Sequence, residues 1–359
     1  MRGLVAAAGL AALVGGIIIV GTQESDGPNL YPGQMPIPVP GCPATGLTHT
    51  GSQSAELEQA AADQTWDLTG ATWDVPSYDP SATSPMPVQS DSWSRGCIQG
   101  GTVLGPISPT ATRDQWYDGI GGTARNGDGL SVVLDESVHD NWVVVRDMVV
   151  TDFEDAYDFQ GYSRPDAVAY LDHVTATDIG DDCLEVEGSS SDPDGPVSVA
   201  INNSYFECFT GVAERPPGST TTQEGTGAQW FTMENSLMWI KPRPLGPSYC
   251  DSTSVSQGRC ATTGDPELWT GSYGIWKWSN QAAARVAVRN TIFRLDMPSY
   301  SSCSSQRWPA GSYDNVTVVW TGAGSYRSAG SCTNTLPSGV TLTTDVSVWD
   351  DAVAAWEAQ

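Results

Sequence analysis

Short alternations of apolar and polar residues, each ending at Asn, Asp or Gly, recur along most of the chain. Such alternation directs successive side chains to opposite faces of an extended backbone and predicts β-strands rather than helices. Five stretches combine it with a central polar kink: residues 142–153, 168–179, 199–210, 231–240 and 286–296. Asp147 and Asp172 are 25 residues apart, and Asn203 follows Asp172 after 31 residues. This spacing is typical of repeated units that stack on one another.

The repeated units predict a solenoid of parallel strands. A unit of two or three short strands without a helix cannot bury its apolar face alone, so successive units must stack. A sandwich of antiparallel hairpins is the alternative, but the Asn-Gly and Asp-Gly turns that it requires are few in this chain. We therefore expect an all-β fold in which residues 97–345 form a parallel β-helix.

Two segments are predicted to cover the open ends of the solenoid, where strand edges would otherwise be exposed. Ser54 is a suitable N-cap for a short helix over residues 54–64, in an N-terminal cap region that spans residues 54–96. At the other end, residues 346–359 predict a capping helix. In that helix Trp349, Val353 and Trp356 lie on one face.

After Met1 and the charged Arg2, a long uncharged and mostly apolar run extends from Gly3 to Gln23. This run predicts either a secretory signal over residues 1–23 or an uncleaved membrane anchor through residues 4–20. Residues 24–53 are rich in Pro and Gly and predict an extended linker. Both alternatives place the body of the protein outside the cytoplasm, as a secreted or anchored protein.

Eight cysteines in an exported chain predict disulfides. Their spacing favours a Cys250–Cys260 pair and a Cys303–Cys332 pair, although eight cysteines permit many connectivities. A metal site is not expected from the cysteines, because no Cys-x-x-Cys motif exists and the chain has only three His residues.

The charge balance narrows the class of partner. The 359 residues include 16 Lys and Arg against 42 Asp and Glu, a formal net charge of −26. Such a surface repels nucleic acid, and it disfavours polyanionic sugars unless a cation bridges the two. The 14 Trp residues suggest a glycan as the partner, although packing is the ordinary role of Trp.

Polar residues recur at the ends of successive predicted coils. The candidates are Asp155 and Asp158, Asp181 and Asp182, Glu214 and Arg215, and Lys241 and Arg243. Because parallel strands lie about 4.8 Å apart, stacking would bring these carboxylates within roughly 5 to 10 Å of one another. Crowded carboxylates raise the proton affinity of at least one member, which creates a general acid. The alternative is that these residues only end strands and form turns.

The segment Gly180-Asp181-Asp182-Cys183 matches the paired-aspartate motif of the polygalacturonase-like glycoside hydrolases, and Ile240-Lys241 matches part of their Arg-Ile-Lys motif. On these residues the chain resembles the pectate lyase and polygalacturonase-like superfamily. The resemblance implies a right-handed single-stranded parallel β-helix with short helical caps. Where the family carries Gly-His-Gly, this chain carries Glu214 and Arg215.

Three functions follow from these observations. The first is a glycoside hydrolase without a cofactor, with Asp181 or Asp182 as general acid and Asp155 or Asp158 as base for water. Arg215 and Lys241 would bind its substrate. The second is a polysaccharide lyase in which the Asp cluster binds calcium and an Arg or Lys abstracts a proton. The third is a non-catalytic surface or adhesive protein that binds a glycan through Trp-rich loops. The full candidate set is Asp155, Asp158, Asp181, Asp182 and Glu214 for catalysis, with Arg215, Lys241, Arg243 and Trp276 for substrate binding.

Overall fold

The computed structural model describes residues 39–75, 86–108, 110–112, 127–161, 166–187, 197–215, 229–244, 270–271, 274–278, 284–296, 308–322 and 336–359. Within these residues, 23 strands form one sheet in which every pairing is parallel. Two further short strands pair antiparallel, and the described residues contain one α-helix. This architecture is an all-β parallel β-helix, and it confirms the predicted fold class.

The strands of the large sheet are short and follow one another closely along the chain. They are β1 (Gly46–Thr48), β2 (Gly51–Gln53), β3 (Leu57–Glu58), β4 (Ala61–Ala62), β5 (Thr65–Asp67), β6 (Ala71–Asp74), β7 (Val88–Ser94), β8 (Gly96–Gln99), β9 (Thr102–Leu104), β10 (Asp128–Leu134), β11 (Trp142–Arg146), β12 (Val149–Thr151), β13 (Asp155–Gly161), β14 (Val168–Asp172), β15 (Thr175–Glu187), β16 (Ser198–Asn202), β17 (Tyr205–Arg215), β18 (Trp230–Glu234), β19 (Leu237–Ile240), β22 (Gly274–Trp278), β23 (Arg285–Leu295), β24 (Gly311–Trp320) and β25 (Val340–Thr343). The antiparallel pair is β20 (Arg243–Pro244) with β21 (Thr270–Gly271).

The coiled sheet has three faces. The first face contains β1, β5, β8, β11, β14, β16, β18 and the first halves of β23 and β24. The second face contains β2, β6, β9, β12, β19, β25, the first parts of β15 and β17, and the second halves of β23 and β24. The third face contains β3, β4, β7, β10, β13, β22 and the second parts of β15 and β17.

One continuous apolar core fills the interior of the column. Trp66 and Trp93 pack edge to face near its start, with ring centroids 5.0 Å apart. Tyr157 and Phe206 pack edge to face in later coils, 6.5 Å apart. Alternation along each strand directs these rings inward and their sequence neighbours outward, as the apolar pattern predicted.

The turn between the first and second faces uses a left-handed residue in successive coils. The non-glycine residues with positive φ at this turn are Asp147, His173, Asn203, Asn235, Asn290 and Asn315. Asp and Asn tolerate this conformation better than most side chains. The amide side chains also form a ladder, in which Asn290 donates to Asn235 at 3.2 Å and Asn315 donates to Asn290 at 2.9 Å.

The structure corrects the repeat alignment by one residue. Asp172 pairs with Arg146 in the register of β14 against β11, so His173 is the residue equivalent to Asp147. Both Asp147 and His173 have positive φ. The sequence pattern missed this because His replaces the usual Asp or Asn at that turn.

The predicted helix over residues 54–64 is wrong. Leu57 pairs with Val88 and Ala61 pairs with Trp93, both in parallel register against β7. The buried positions Leu57 and Ala61 are four residues apart, a spacing that also suits a helix. Parallel pairing begins at Gly46, so residues 46–62 contribute strands to the column.

The predicted C-terminal helix is confirmed as α1 (Ser347–Glu357). Its apolar face carries Trp349, Val353 and Trp356, and it packs on the outer surface of the second face against Tyr205 of β17 and Leu237 of β19. Further contacts reach Ile292 of β23 and Val319 of β24. The helix therefore covers the side of several coils.

Two disulfides are present in the described residues. Cys42–Cys97 ties the segment before β1 to β8, and Cys183–Cys208 joins β15 to β17. Disulfides indicate an oxidising, extracytoplasmic environment.

The other cysteine and export predictions lie outside the described residues. These are the Cys250–Cys260 and Cys303–Cys332 pairs and the apolar segment within residues 1–23. In the part of the chain that the structure describes, no helix is long and apolar enough to cross a membrane.

Candidate acidic site on the third face

The third face stacks four strands that carry most of the candidate residues. The register of β13, β15, β17 and β22 aligns Asp158 with Glu185, Glu185 with Ala213, and Ala213 with Lys277. These residues point away from the core, because their neighbours Tyr157, Leu184, Val212 and Trp276 are core residues. Stacking thus brings together side chains that are far apart in sequence.

The paired aspartates lie where β15 turns from the second face onto the third. The register of β15 against β17 shifts between Ile179 and Asp182, which indicates a bulge. Bulges change the direction of side chains and are common beside active sites. The backbone N–H of Asp182 donates to Oδ1 of Asp155 at 2.7 Å, so the bulge brings the two acids into contact.

A compact cluster of carboxyl groups results. One oxygen each of Asp155, Asp182 and Glu185 lies within 4.8 Å of the other two. These residues are 5%, 1% and 7% exposed, respectively. Asp181 lies beside them and accepts a hydrogen bond from Oγ1 of Thr210 at 3.0 Å. We call Asp155, Asp181, Asp182 and Glu185 the acidic cluster.

Lys277 supplies a positive charge to the acidic cluster. Its Nζ lies 2.8 Å from Oδ2 of Asp182 and 3.3 Å from Oδ2 of Asp181. Lys277 is on β22, two strands from β15. Ala213 on the intervening β17 is its register partner, and we call such aligned residues of successive strands a row. The small side chain of Ala213 leaves room for Lys277 to reach across β17. The Lys277 side chain remains 25% exposed, so solvent reaches the cluster from this side.

Burial and neighbouring charges shift the pKa values of Asp155 and Lys277 in the cluster. Burial, reinforced by the charges of Glu185, Asp182 and Glu154, raises the pKa of Asp155 well above its usual value. Burial also lowers the pKa of Lys277, but the charges of Asp182, Asp181 and Asp155 raise it by more, so its pKa lies above the usual value. The environment therefore favours the protonated form of Asp155 and the charged form of Lys277.

Asp158 lies in the next outward row and is held by neutral partners. Its Oδ2 accepts from Oγ of Ser131 at 3.0 Å and from Nε2 of Gln160 at 2.7 Å. Asp158 is 2% exposed and lies opposite Glu185 in the register. The predicted gathering of Asp155, Asp158, Asp181 and Asp182 on one wall is thus seen in the structure.

Glu214 and Arg215 are the last two residues of β17. Glu214 lies opposite Val186, which itself lies opposite Phe159. Val186 and Phe159 belong to the core, so the register assigns Glu214 to the inward row rather than to the row of Asp158 and Glu185. Arg215 lies opposite Glu187 in the same register.

Lys241 does not contact the acidic cluster and instead forms ion pairs with two other acids. Its Nζ lies 2.8 Å from Oδ1 of Asp178 and 2.8 Å from Oε2 of Glu207. Arg243 is buried on β20. Burial and the charge of Asp178 raise the pKa of Asp152, and Arg243 and Lys241 partly offset this rise. These cations thus serve a second group of acids at the turn between the second and third faces.

Trp276 is a core residue, which corrects its predicted role in stacking on a sugar. It is 1% exposed. Its ring packs edge to face on Phe231 at 5.4 Å and on Trp308 at 6.2 Å. Since alternation on β22 directs Trp276 inward, its neighbour Lys277 is the residue that faces outward.

Asp155, Asp182 and Glu185 are also the candidate metal ligands in the described part of the chain. Carboxylate oxygens are the ligands that calcium prefers. The ammonium group of Lys277, however, already contacts Asp182 and would repel a second cation at this position. The residues therefore do not fit a calcium site well.

Sequence reasoning missed Lys277 and Glu185. Glu185 follows Asp182 by three residues in the same strand, and the register places it beside Asp158. Lys277 lies in an aromatic segment, and the signal that could have found it is the alternation Ile-Trp-Lys-Trp, which separates it from the two Trp residues.

The fold and this site together define a class: a disulfide-bonded parallel β-helix with a buried acidic cluster on one face. Comparison with known proteins adds no closer assignment, because no protein-family model, curated protein or solved structure matches the chain.

Proposed function

We propose that this protein is a glycoside hydrolase that cleaves a neutral polysaccharide, with Asp155 as general acid and Asp182 as the partner carboxylate. One observation carries the proposal: of two neighbouring buried carboxyl groups, Asp182 contacts the ammonium group of Lys277, whereas burial dominates the environment of Asp155. Asp155 has a raised pKa, and Asp182 is paired with Lys277 at 2.8 Å, which favours its ionised form. Enzymes use two titratable groups in different environments in this way, one as the acid and the other as the base.

The chemistry follows from the two protonation states. Asp155 donates its proton to the glycosidic oxygen while the bond to the anomeric carbon breaks. The Asp182 carboxylate attacks that carbon, and water later releases the sugar with Asp155 acting as base. One oxygen of each group lies within 4.8 Å of the other, closer to the roughly 5 Å separation of retaining enzymes than to the roughly 6.5 to 9.5 Å of inverting ones. These roles reverse the sequence-based prediction, in which Asp181 or Asp182 was the acid.

The charge of the site favours a neutral sugar chain. Among the residues that the structure describes, the acidic cluster contains four carboxyl groups and is in contact with the single positive charge of Lys277. Lys241 forms ion pairs with Asp178 and Glu207, so it is not placed to receive a sugar carboxylate. A polyuronate would therefore be repelled, in contrast to the substrates that the superfamily resemblance implies.

The lyase alternative needs a Lys or Arg side chain in its neutral form, which can abstract a proton. A raised pKa keeps Lys277 protonated, so Lys277 is a poor base. A second candidate is a non-catalytic glycan-binding column, favoured by the 1% exposure of Asp182. In that case the acidic cluster with Lys277 is an internal ion network that fixes four coils.

The test is a cleavage assay of the purified chain on xylan, galactomannan, mixed-linkage glucan and polygalacturonate. We expect new reducing ends from a neutral polymer, without the ultraviolet absorbance of unsaturated uronates. Asp155→Asn and Asp182→Asn should each lower the rate by about 100-fold to 10,000-fold. Asp67→Asn, which changes a partly exposed acid outside the cluster, is the matched control and should keep full activity.

Three results would overturn the proposal. Cleavage that persists in both cluster variants would remove the assigned residues. Unsaturated products would indicate a lyase. Binding of a polymer without cleavage would establish the second candidate.

A further inference from the structure

A disulfide lies directly behind the acidic cluster. Cys183 follows Asp182 in β15, and Cys208 precedes Thr210 by two residues in β17. Both cysteines are almost fully buried in the core, at 0% and 1% exposure. The bond therefore connects, from inside the column, the two strands that carry Asp182 and Thr210.

The disulfide crosses the place where the ladder between these strands is irregular. Ile179 pairs with Cys208 and Asp182 pairs with Thr210, so β15 carries one more residue than β17 across this turn. Asp181 lies in the bulge, and its hydrogen bond from Thr210 joins it to the next coil. A bulge interrupts regular pairing, so its position against the neighbouring strand depends on other contacts.

We infer that Cys183–Cys208 is a positioning pair. It holds the bulge of β15 in the position, relative to β17, at which Lys277 contacts both Asp181 and Asp182. Lys277 reaches these acids across β17, so its two contacts depend on how β15 and β17 are aligned. A covalent link at the turn fixes that alignment. The structural part of this inference stands alone, and its catalytic consequence rests on the proposed function.

The chain contains a matched control. Cys42–Cys97 is also a disulfide between sequence-distant residues, with a separation of 55 against 25 residues. Cys97 lies on β8 of the first face, away from the acidic cluster. Removing Cys42–Cys97 costs stability without changing the bulge.

The test uses the full chain with three double variants: C183A/C208V, C183V/C208A and C42A/C97A. Valine at one core position keeps volume in the first two variants, which guards against simple loss of folding. The readout is the acetylation rate of Lys277 by sulfosuccinimidyl acetate, followed by mass spectrometry. The rate of Lys277 in C42A/C97A is the reference, because Lys241 contacts Asp178 of β15 and Glu207 of β17, the same two strands that the disulfide joins.

We expect the Lys277 rate to rise by about tenfold or more in a Cys183–Cys208 variant that still unfolds cooperatively, and to stay unchanged in C42A/C97A. An unchanged Lys277 rate would overturn the inference. A similar increase of the Lys277 rate in C42A/C97A would also overturn it, because it would indicate general loosening rather than positioning.

The catalytic consequence has its own readout. On whichever neutral polymer the wild type cleaves, kcat should fall by about 100-fold in the Cys183–Cys208 variants while KM changes little, as expected when reacting groups move by about 1 Å. If the wild type cleaves no polymer, the proposed function fails while the labelling result still decides the positioning role.

Discussion

Nζ of Lys277 lies 2.8 Å from Oδ2 of Asp182, although β17 separates the strands that carry the two residues. The contact depends on Ala213, whose small side chain occupies the row between Glu185 and Lys277. One lysine thus stabilises acids that are almost a hundred positions away in the chain. Four predictions follow from this site and from the surfaces around it.

Removal of Lys277 should destabilise the protein. In Lys277→Met the carboxylates of Asp181 and Asp182 lose their counter-ion, and we expect the free energy of unfolding at pH 7 to fall by roughly 2 to 4 kcal/mol. Part of the loss should be recovered near pH 5, because protonation then neutralises the cluster. Chemical denaturation at both pH values measures this effect.

The control for this prediction is Arg95→Met, which breaks an exposed ion pair with Asp63. Its cost should stay below about 1 kcal/mol. Equal losses in the two variants would mean that Lys277 contributes no more than a surface lysine.

The pH dependence of stability should reveal the buried proton of Asp155. Because the folded-state pKa of Asp155 is raised, the folded protein binds more protons than the unfolded chain above about pH 4, and stability falls as pH rises through that window. Asp155→Asn removes this dependence. The variant should match the wild type near pH 4 and exceed its stability at pH 8.

Asp67→Asn provides a contrast of opposite sign. Hydrogen bonds from Thr69 lower the pKa of Asp67, so its stabilisation is present above about pH 4 and is lost as pH falls through the lowered value. This variant should be less stable than the wild type at neutral pH and equal at low pH. Thermal melts from pH 3 to pH 8 give both curves, and parallel curves for wild type and Asp155→Asn would contradict the assignment.

Trp276 should act on stability and not on glycan binding. Trp276→Ala leaves a cavity between Phe231 and Trp308, and we expect a loss of about 3 to 5 kcal/mol in urea denaturation. Trp276→Phe should lose less, because it keeps an aromatic ring in the core. A variant that keeps its stability but no longer retards in a glycan affinity gel would place the ring at the surface instead.

The helix α1 should contribute to the stability of the fold mainly through the side chain of Trp349. This side chain is 2% exposed and packs on Tyr205 and Trp239. Trp349→Ala should lower the unfolding free energy by about 2 to 4 kcal/mol. Asp351→Ala, an exposed change in the same helix, should stay within about 0.5 kcal/mol. Similar melting temperatures for the two variants would show that α1 is only loosely attached.

The sequence predicts the fold well because the alternation of apolar and polar residues reports directly which side chains enter the core. It also locates Asp181 and Asp182, since a pair of acids at a strand corner is a local signal. The prediction failed at Leu57 and Ala61, whose spacing suits a helix equally well. There the pairing with β7 decides the conformation, and that pairing is a long-range contact.

The remaining differences between the predicted and the observed site also arise from long-range contacts. Whether Glu214 enters the row of the core or the row of Asp158 depends on the register of β17 against β15, which includes a bulge. The contact of Lys277 depends on which strand stacks on which and on the small size of Ala213. No local pattern contains that information, because each of these relations forms only when distant coils are stacked.

The C-terminal helix also has a practical consequence. Trp356 donates to the carbonyl of Asn203 at 3.2 Å, and the side chain of Asn203 donates to Gln359 at 2.9 Å. Any polypeptide that continues beyond Gln359, such as a purification tag or a fused reporter, would therefore emerge beside the middle of the column and not from its tip. Fusions designed to extend the rod lengthwise would need a spacer long enough to travel past the coils that α1 covers.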